Sequence, residues 1–185
     1  MRAEIRLAGS GGQGIILAAK VIAEAAGIFS DLNVVQSQIY GAAARGELSK
    51  ADVIIDDGDI YTLEIAAADI LLCLSQEAYD RYSKELKEDG KLIIDSFYVK
   101  NYDQLDKRIL SFPISEMSKE LADSELFSNM ISVGIVTVVG KYFSEESVLK
   151  SVEKNVPKNF LEMNIKAVKF GFEKAKSKYP EICGS

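Results

Sequence analysis

The sequence predicts an α/β domain of three α/β/α layers, Rossmann-like, with a mostly parallel or mixed sheet and a helical C-terminus. Three observations predict it. A short strand, Glu4 to Ala8, runs straight into the turn Gly9-Ser10-Gly11-Gly12-Gln13-Gly14 and then into a helix beginning at Ile15. Strand-like and helix-like periods then alternate as far as Ile114. From Ser115 onward the pattern is helical. One domain is expected over residues 1–180, with a short tail at 181–185.

The elements follow in order. After the glycine turn, Ile15, Ala18, Ala19, Ile22, Ala25 and Ala26 fall at helical spacing, and Gly27 is placed to end that helix. Asn33-Val34-Val35-Gln36 reads as the second strand and Ala51 to Asp56 as the third. The continuous apolar run Ala68 to Leu74 suits a strand covered on both faces. Gln76 to Lys87 reads as a polar, amphipathic helix, after which Asp89-Gly90 turns the chain into a strand from Lys91 to Asp95. Arg108 to Ile114 is a further strand with Pro113 near its end. Asn129 to Tyr142 is apolar almost all round and is expected to be buried. Ser144 starts another helix, with two early acids. Pro157 opens the last one, whose face is Leu161, Ile165, Val168, Phe172 and Ala175.

Composition narrows the chemistry. The 185 residues carry a net charge of −6, which argues against a nucleic-acid binder. No apolar run is long enough to span a membrane, and the first strand starts almost at once, so a cytoplasmic location without a leader is expected. There is no histidine, which removes the commonest general base, the commonest metal ligand and any Ser-His or Cys-His pair. Of the two cysteines, Cys73 lies in an apolar run and reads as a buried structural thiol, and Cys183 lies in the tail. Two cysteines do not supply the four thiolates of an ordinary iron–sulfur cluster. No catalytic residue and no metal site is expected on this chain.

The glycine turn admits competing readings. Its free N–H groups at a helix N-terminus favour an anion, as in a dinucleotide site. Such a site expects an acid at the end of the second strand. Here that strand ends at Gln36-Ser37, and Asp31 precedes it. A P-loop would need Gly-Lys-Ser or Gly-Lys-Thr, which Gln13-Gly14-Ile15 lacks. The third reading is close packing, with glycines letting the first helix approach the sheet and leaving a flat surface for another chain. The missing acid favours this last reading.

A second loop, Tyr40-Gly41-Ala42-Ala43-Ala44-Arg45-Gly46, frames an arginine between glycines. Following a strand, it lies where open α/β sheets hold ligands, and Arg45 is suited to a bidentate pair with a carboxylate or phosphate. Alone, such an arginine is more often a solvated surface residue.

Together, Ala8 to Ile15, Tyr40-Gly41 with Ala44-Arg45-Gly46, and Ser49 to Val53 resemble the gamma subunit of 2-oxoacid:ferredoxin oxidoreductases. Further matches are Ala68 to Leu71, Gln76 to Tyr79, Asn129-Met130 with Gly134, and Asn164 to Gly171. The family loop reads Tyr-Gly-Pro-Glu-Ala-Arg-Gly-Gly; here Ala42 and Ala43 replace Pro-Glu, and Glu47 replaces the last glycine. The resemblance implies a non-redox subunit of an enzyme that decarboxylates a 2-oxoacid, most readily 2-oxoglutarate. Thiamine diphosphate, iron–sulfur clusters and coenzyme A belong to the holoenzyme, with none bound by this chain alone. It also implies alpha, beta and delta subunits as partners and ferredoxin reached indirectly; an isolated subunit with an exposed docking face is expected to self-associate as a homodimer. Cofactor binding or subunit docking then falls to Gly9, Ser10, Gly11, Gly12, Gln13, Gly14, Tyr40, Gly41, Arg45 and Gly46. Arg45 or the helix N-terminus at Ile15 would hold a coenzyme A phosphate. The alternatives are a free-standing NAD(P)-binding protein and the similar beta subunit of indolepyruvate oxidoreductase.

Overall fold

The computed structural model describes residues 1–40 and 48–183, the side chains of 39, 40 and 183 excepted. Six strands form one sheet: β1 (Arg2–Ser10), β2 (Asn33–Tyr40), β3 (Leu48–Asp56), β4 (Ala68–Cys73), β5 (Leu86–Asp95) and β6 (Ile109–Phe112). Their order is β2-β3-β1-β4-β5-β6. The ladders β1–β4, β4–β5 and β5–β6 are parallel, whereas β3 runs antiparallel to both β1 and β2. The sheet is therefore mixed, and β1, β2, β4, β5 and β6 all end at one edge.

The helices are α1 (Ile15–Gly27), α2 (Gln76–Tyr82), α3 (Ile114–Ala122), α4 (Ser128–Gly140), α5 (Glu145–Asn155), α6 (Lys158–Lys178) and α7 (Pro180–Cys183). They cover the sheet unequally. One face carries the large core: Ile5, Leu7, Val53, Ile55, Ile70 and Leu72 from the strands meet buried residues of α1, α3, α4, α5 and α6. Within it α4 is buried from Ser128 through Val138, which is why its sequence is apolar on every side. The other face carries a smaller core around Ala8, Ile54, Leu71, Cys73 and Ile94, closed by α2 and irregular chain at Ile65, Val99 and Tyr102. Among the described residues no helix is long and apolar enough to cross a membrane.

Two boundaries differ from the sequence reading. The helix expected over Gln76 to Lys87 ends at Tyr82, a 3₁₀ turn covers Ser83–Glu85, and Leu86 already pairs with Ala68. Asp89-Gly90 is consequently no turn but lies inside β5, where the register with β4 shifts between Ala68 and Ile70. The physical reason is pairing: the ladder to β4 outweighs the local helical preference of this polar stretch. Likewise the second strand runs on past Gln36-Ser37 to Tyr40, because β3 pairs with it along its whole length. The side chain of Cys183 lies outside the described ones.

Candidate functional site

The glycine turn sits at the strand-end edge of the sheet, between β1 and α1. Gly9, next to last in β1, stands in close quarters: a Cβ there would lie 2.5 Å from Gln13 Oε1 and 3.2 Å from Leu74 Cβ. The Gln13 side chain folds back into the turn. Its Oε1 accepts the Ser10 N–H at 2.6 Å, and its Nε2 donates to the Leu74 carbonyl at 3.1 Å. Gln13 thus ties the end of β1 to the chain leaving β4. Gly11 and Gly12 are exposed, and Gly12 has φ of 95°. Gly14, with φ of 73°, is the residue before α1, and a side chain there would run into Asn129 from α4. Both positive-φ positions need glycine for conformational reasons.

Topology closes the dinucleotide reading. In a dinucleotide-binding unit the second strand lies beside the first, so its terminal acid reaches the ribose. Here β3 occupies that place, antiparallel, with Ser10 opposite Leu48. β2 is displaced to the outer edge. Among the described residues, the strand end beside β1 on this side carries no acid.

The turn nevertheless borders a cleft of about 390 Å³ lined by Gly12, Gln13, Gly14, Ser115, Glu125 and Ser128, among others. Helices α1 and α4 both begin at this cleft, and neither has a side-chain cap or an acid in its first turn. The positive end of the α1 dipole lies at this space, whereas at α4 the Ser128 N–H already donates to the Glu125 carbonyl and the Met130 N–H to Asn129 Oδ1 at 2.8 Å. Helix α3 differs. Its start is occupied by Asp95 at the end of β5, whose Oδ2 accepts the Ser115 N–H at 3.2 Å and the Ser115 hydroxyl at 2.6 Å. Burial pushes the Asp95 carboxyl up, and these hydrogen bonds, with one from the Phe97 N–H, pull against that.

Ser128, the first residue of α4, is nearly buried in the cleft wall, and its hydroxyl has no hydrogen-bond partner among the described residues. A buried hydroxyl left unsatisfied is costly, so the position calls for a partner. Glu125 lines the same cleft and is held by Lys119 at 2.7 Å and by the Tyr98 hydroxyl at 2.7 Å. That hydrogen bond pushes Tyr98 up to about 12, so it stays a donor. The charge of Glu125 is thereby spent on its neighbours. The cleft offers hydrogen-bond donors to an anion.

The sequence-predicted site is thus only partly assembled in view. Gly9 to Gly14 form one wall. Tyr40 closes β2 opposite Ser49, so the strands flanking the second loop leave and re-enter the sheet at the edge of the glycine turn. Gly41, Arg45 and Gly46 lie outside the described residues. Sequence reasoning missed Ser115, Glu125, Ser128 and Asn129 as site residues. The available signal was the polar pair Ser128-Asn129 opening an otherwise apolar helix. Cys73 is fully buried and burial pushes its thiol far up, so it is an inert core residue.

The family described as pyruvate ferredoxin/flavodoxin oxidoreductase matches residues 4–174. The chain is 38% identical over 178 residues to the 2-oxoglutarate synthase subunit KorC of Methanocaldococcus jannaschii, covering 95% of both. It is 28% identical to the indolepyruvate oxidoreductase subunit IorB of Archaeoglobus fulgidus, covering 97% of this chain and 98% of that one. The solved structure of a keto/oxoacid ferredoxin oxidoreductase gamma subunit from Geobacter sulfurreducens superposes with a TM-score of 0.86 at 41% identity, covering 96% of this chain and 98% of that one.

Proposed function

The chain belongs to the pyruvate ferredoxin/flavodoxin oxidoreductase family, and on that premise we propose that it is the gamma subunit of a 2-oxoglutarate:ferredoxin oxidoreductase. The observation that carries the reading is the 38% identity to a KorC subunit over 95% of both chains. The indolepyruvate alternative has weaker support, at 28%. In such an enzyme the 2-oxoacid loses carbon dioxide, its electrons pass to ferredoxin, and coenzyme A takes the acyl group. Thiamine diphosphate and the iron–sulfur clusters belong to the alpha, beta and delta subunits, and the complex works in the cytoplasm. This chain is one gamma-type unit that docks against them through the edge bearing the glycine turn and the Tyr40–Gly46 loop.

Its contribution to chemistry is to hold an anion. The open start of α1 and the Ser128 hydroxyl supply donors to a phosphate of coenzyme A, with Arg45 as a second holding group. Gln13 and Asn129 keep that wall in place through the glycines they rest on.

Purification from the native source tests the assignment. The chain should co-purify with thiamine diphosphate and iron–sulfur absorbance; its recovery alone would overturn the reading. The anion role has a separate test. Because the Ser128 hydroxyl is unpartnered, Ser128→Ala should leave the melting temperature unchanged or slightly higher. In the whole complex the same variant should raise the apparent KM for coenzyme A about tenfold, the scale of one hydrogen bond to a charged group. An unchanged KM in both Ser128→Ala and Arg45→Ala would remove the phosphate role while leaving the subunit assignment intact.

A further inference from the structure

The two edges of the sheet are treated differently. At the β6 edge the outward groups of Ser111 are taken: its N–H donates to the Tyr179 hydroxyl at 3.1 Å, and its carbonyl accepts from Lys178 Nζ at 2.6 Å. A four-residue strand with its edge covered in this way resists pairing with another chain. At the other edge stands β2, eight residues and about 27 Å long. Among the described residues, only β3 pairs with its backbone. The usual guards are missing too, since Asn33-Val34-Val35-Gln36-Ser37-Gln38-Ile39-Tyr40 contains no Lys, Arg, Asp, Glu or Pro.

Exposed apolar side chains stand on both flanks of this edge. On the α1 face, a Cβ on Gly27 would lie 3.4 Å from Val34 Cγ2, and the next residue, Ile28, is 55% exposed. On the opposite face the Ser37 hydroxyl donates to the Leu63 carbonyl at 3.2 Å, fixing Leu63 over the strand. Leu63 is 65% and nearby Tyr61 91% exposed. An open backbone ladder flanked by exposed apolar side chains suits pairing with another strand.

We propose that this edge is where two copies of the chain associate, β2 against β2, antiparallel about Gln36. Charge selects a second copy as the occupant. The chain carries −6 and 27% charged residues, so most of its surface would repel itself. The β2 ladder brings no like charges opposite one another. A second copy also supplies an edge of equal length and equal twist. Centred on Gln36, the pairing sets Val34 against Gln38 on one face and Val35 against Ser37 on the other, and continues six strands into twelve. One added ladder buries less than the roughly 1,200 Å² of a stable interface, so the association is weak and concentration-dependent. The inference needs no part of the subunit assignment and concerns the chain by itself.

Sedimentation velocity of the full chain across a wide concentration series tests it. A monomer–dimer equilibrium is expected, weakened about tenfold by Gln36→Lys, which sets two like charges at the twofold centre. Leu63→Asp should weaken it as well, and Leu105→Asp, an exposed apolar position away from β2, should leave it unchanged. Melting curves identify any variant that fails to fold. Hydrogen exchange on the unmodified chain needs no variant: the β2 amides should gain protection as concentration rises. A monomer at every concentration would overturn the proposal. So would a dimer that keeps its strength in both Gln36→Lys and Leu63→Asp, or one that leaves β2 exchange unaltered.

Discussion

Arg6→Met is expected to cost about 3–5 kcal/mol of folding stability, because it strips a buried carboxylate of its main partner. Arg6 stands in the middle of β1 on the thinly covered face and is 1% exposed. Its Nε and Nη2 donate to the two oxygens of Asp52, each at 2.8 Å, and Nη2 also donates to the Ile65 carbonyl at 2.8 Å. Nη1 pairs with Glu85, and the Tyr82 ring lies 5.4 Å from the guanidinium carbon. One side chain therefore ties β1 to β3, to the chain entering β4 and to the 3₁₀ turn before β5. Only Lys50, at 3.2 Å, would remain as an ion-pair partner of Asp52 among the described residues. For a chain of this size the loss corresponds to a fall of roughly 10 °C in Tm. The double variant Arg6→Met/Asp52→Leu should recover most of it, since replacing both members of a buried pair by apolar groups is near neutral. Chemical denaturation of the three proteins decides the matter. A single variant within about 1 kcal/mol of the parent, or a double variant no better than the single, would show that the ion pair is not what holds this face.

The second large effect is expected at the crossing of α4 and α6. A Cβ on Gly134 would run into the Val168 carbonyl oxygen and lie 3.0 Å from the Gly171 Cα and the Phe172 nitrogen. A Cβ on Gly171 would in turn strike the Ile131 carbonyl. These obstacles are backbone atoms, which cannot rotate aside as a flexible side chain can. Gly134→Ala should therefore force the helices apart and cost about 2–3 kcal/mol, at the upper end of overpacking effects, despite the better helix propensity of alanine. The same displacement would shift the start of α4, so the affinity of the cleft at Ser128 should fall together with stability. Gly58→Ala is the control. Its Cβ would meet only Asp56 Oδ1, at an ordinary 3.6 Å, and stability should hold or rise slightly. Equal melting temperatures for Gly134→Ala and the parent would contradict the close-packing account.

These two sites show how unevenly the structure was legible. Gly134 and the stretch Asn164 to Gly171 stood out by resemblance, yet the reason for glycine there is a contact between residues far apart in sequence. Arg6 gave no signal. In β1 it simply alternates with Ile5 and Leu7, as any exposed strand residue would. Its burial depends on irregular chain folding over the sheet at Ile65 and Glu85. The site was legible on one wall only. Gly9 to Gly14 announced themselves by local backbone demand, whereas Ser115, and Glu125 with Ser128, reach the cleft from two other segments.

The sequence alone determined what depends on neighbours along the chain. The glycine turn, α1 with its apolar spacing, the apolar strand at β4, the buried α4 and the Ser144 and Pro157 helix starts all rest on local periodicity and backbone geometry. Residue type alone also determined that neither histidine nor a set of cluster ligands is at hand. The tertiary structure decided which strands become neighbours. By running antiparallel between β1 and β2, β3 takes the place a dinucleotide's ribose acid would need, and moves β2 to an open edge. Strand pairing is a contest among distant segments for backbone hydrogen bonds and burial, and no local pattern records its outcome.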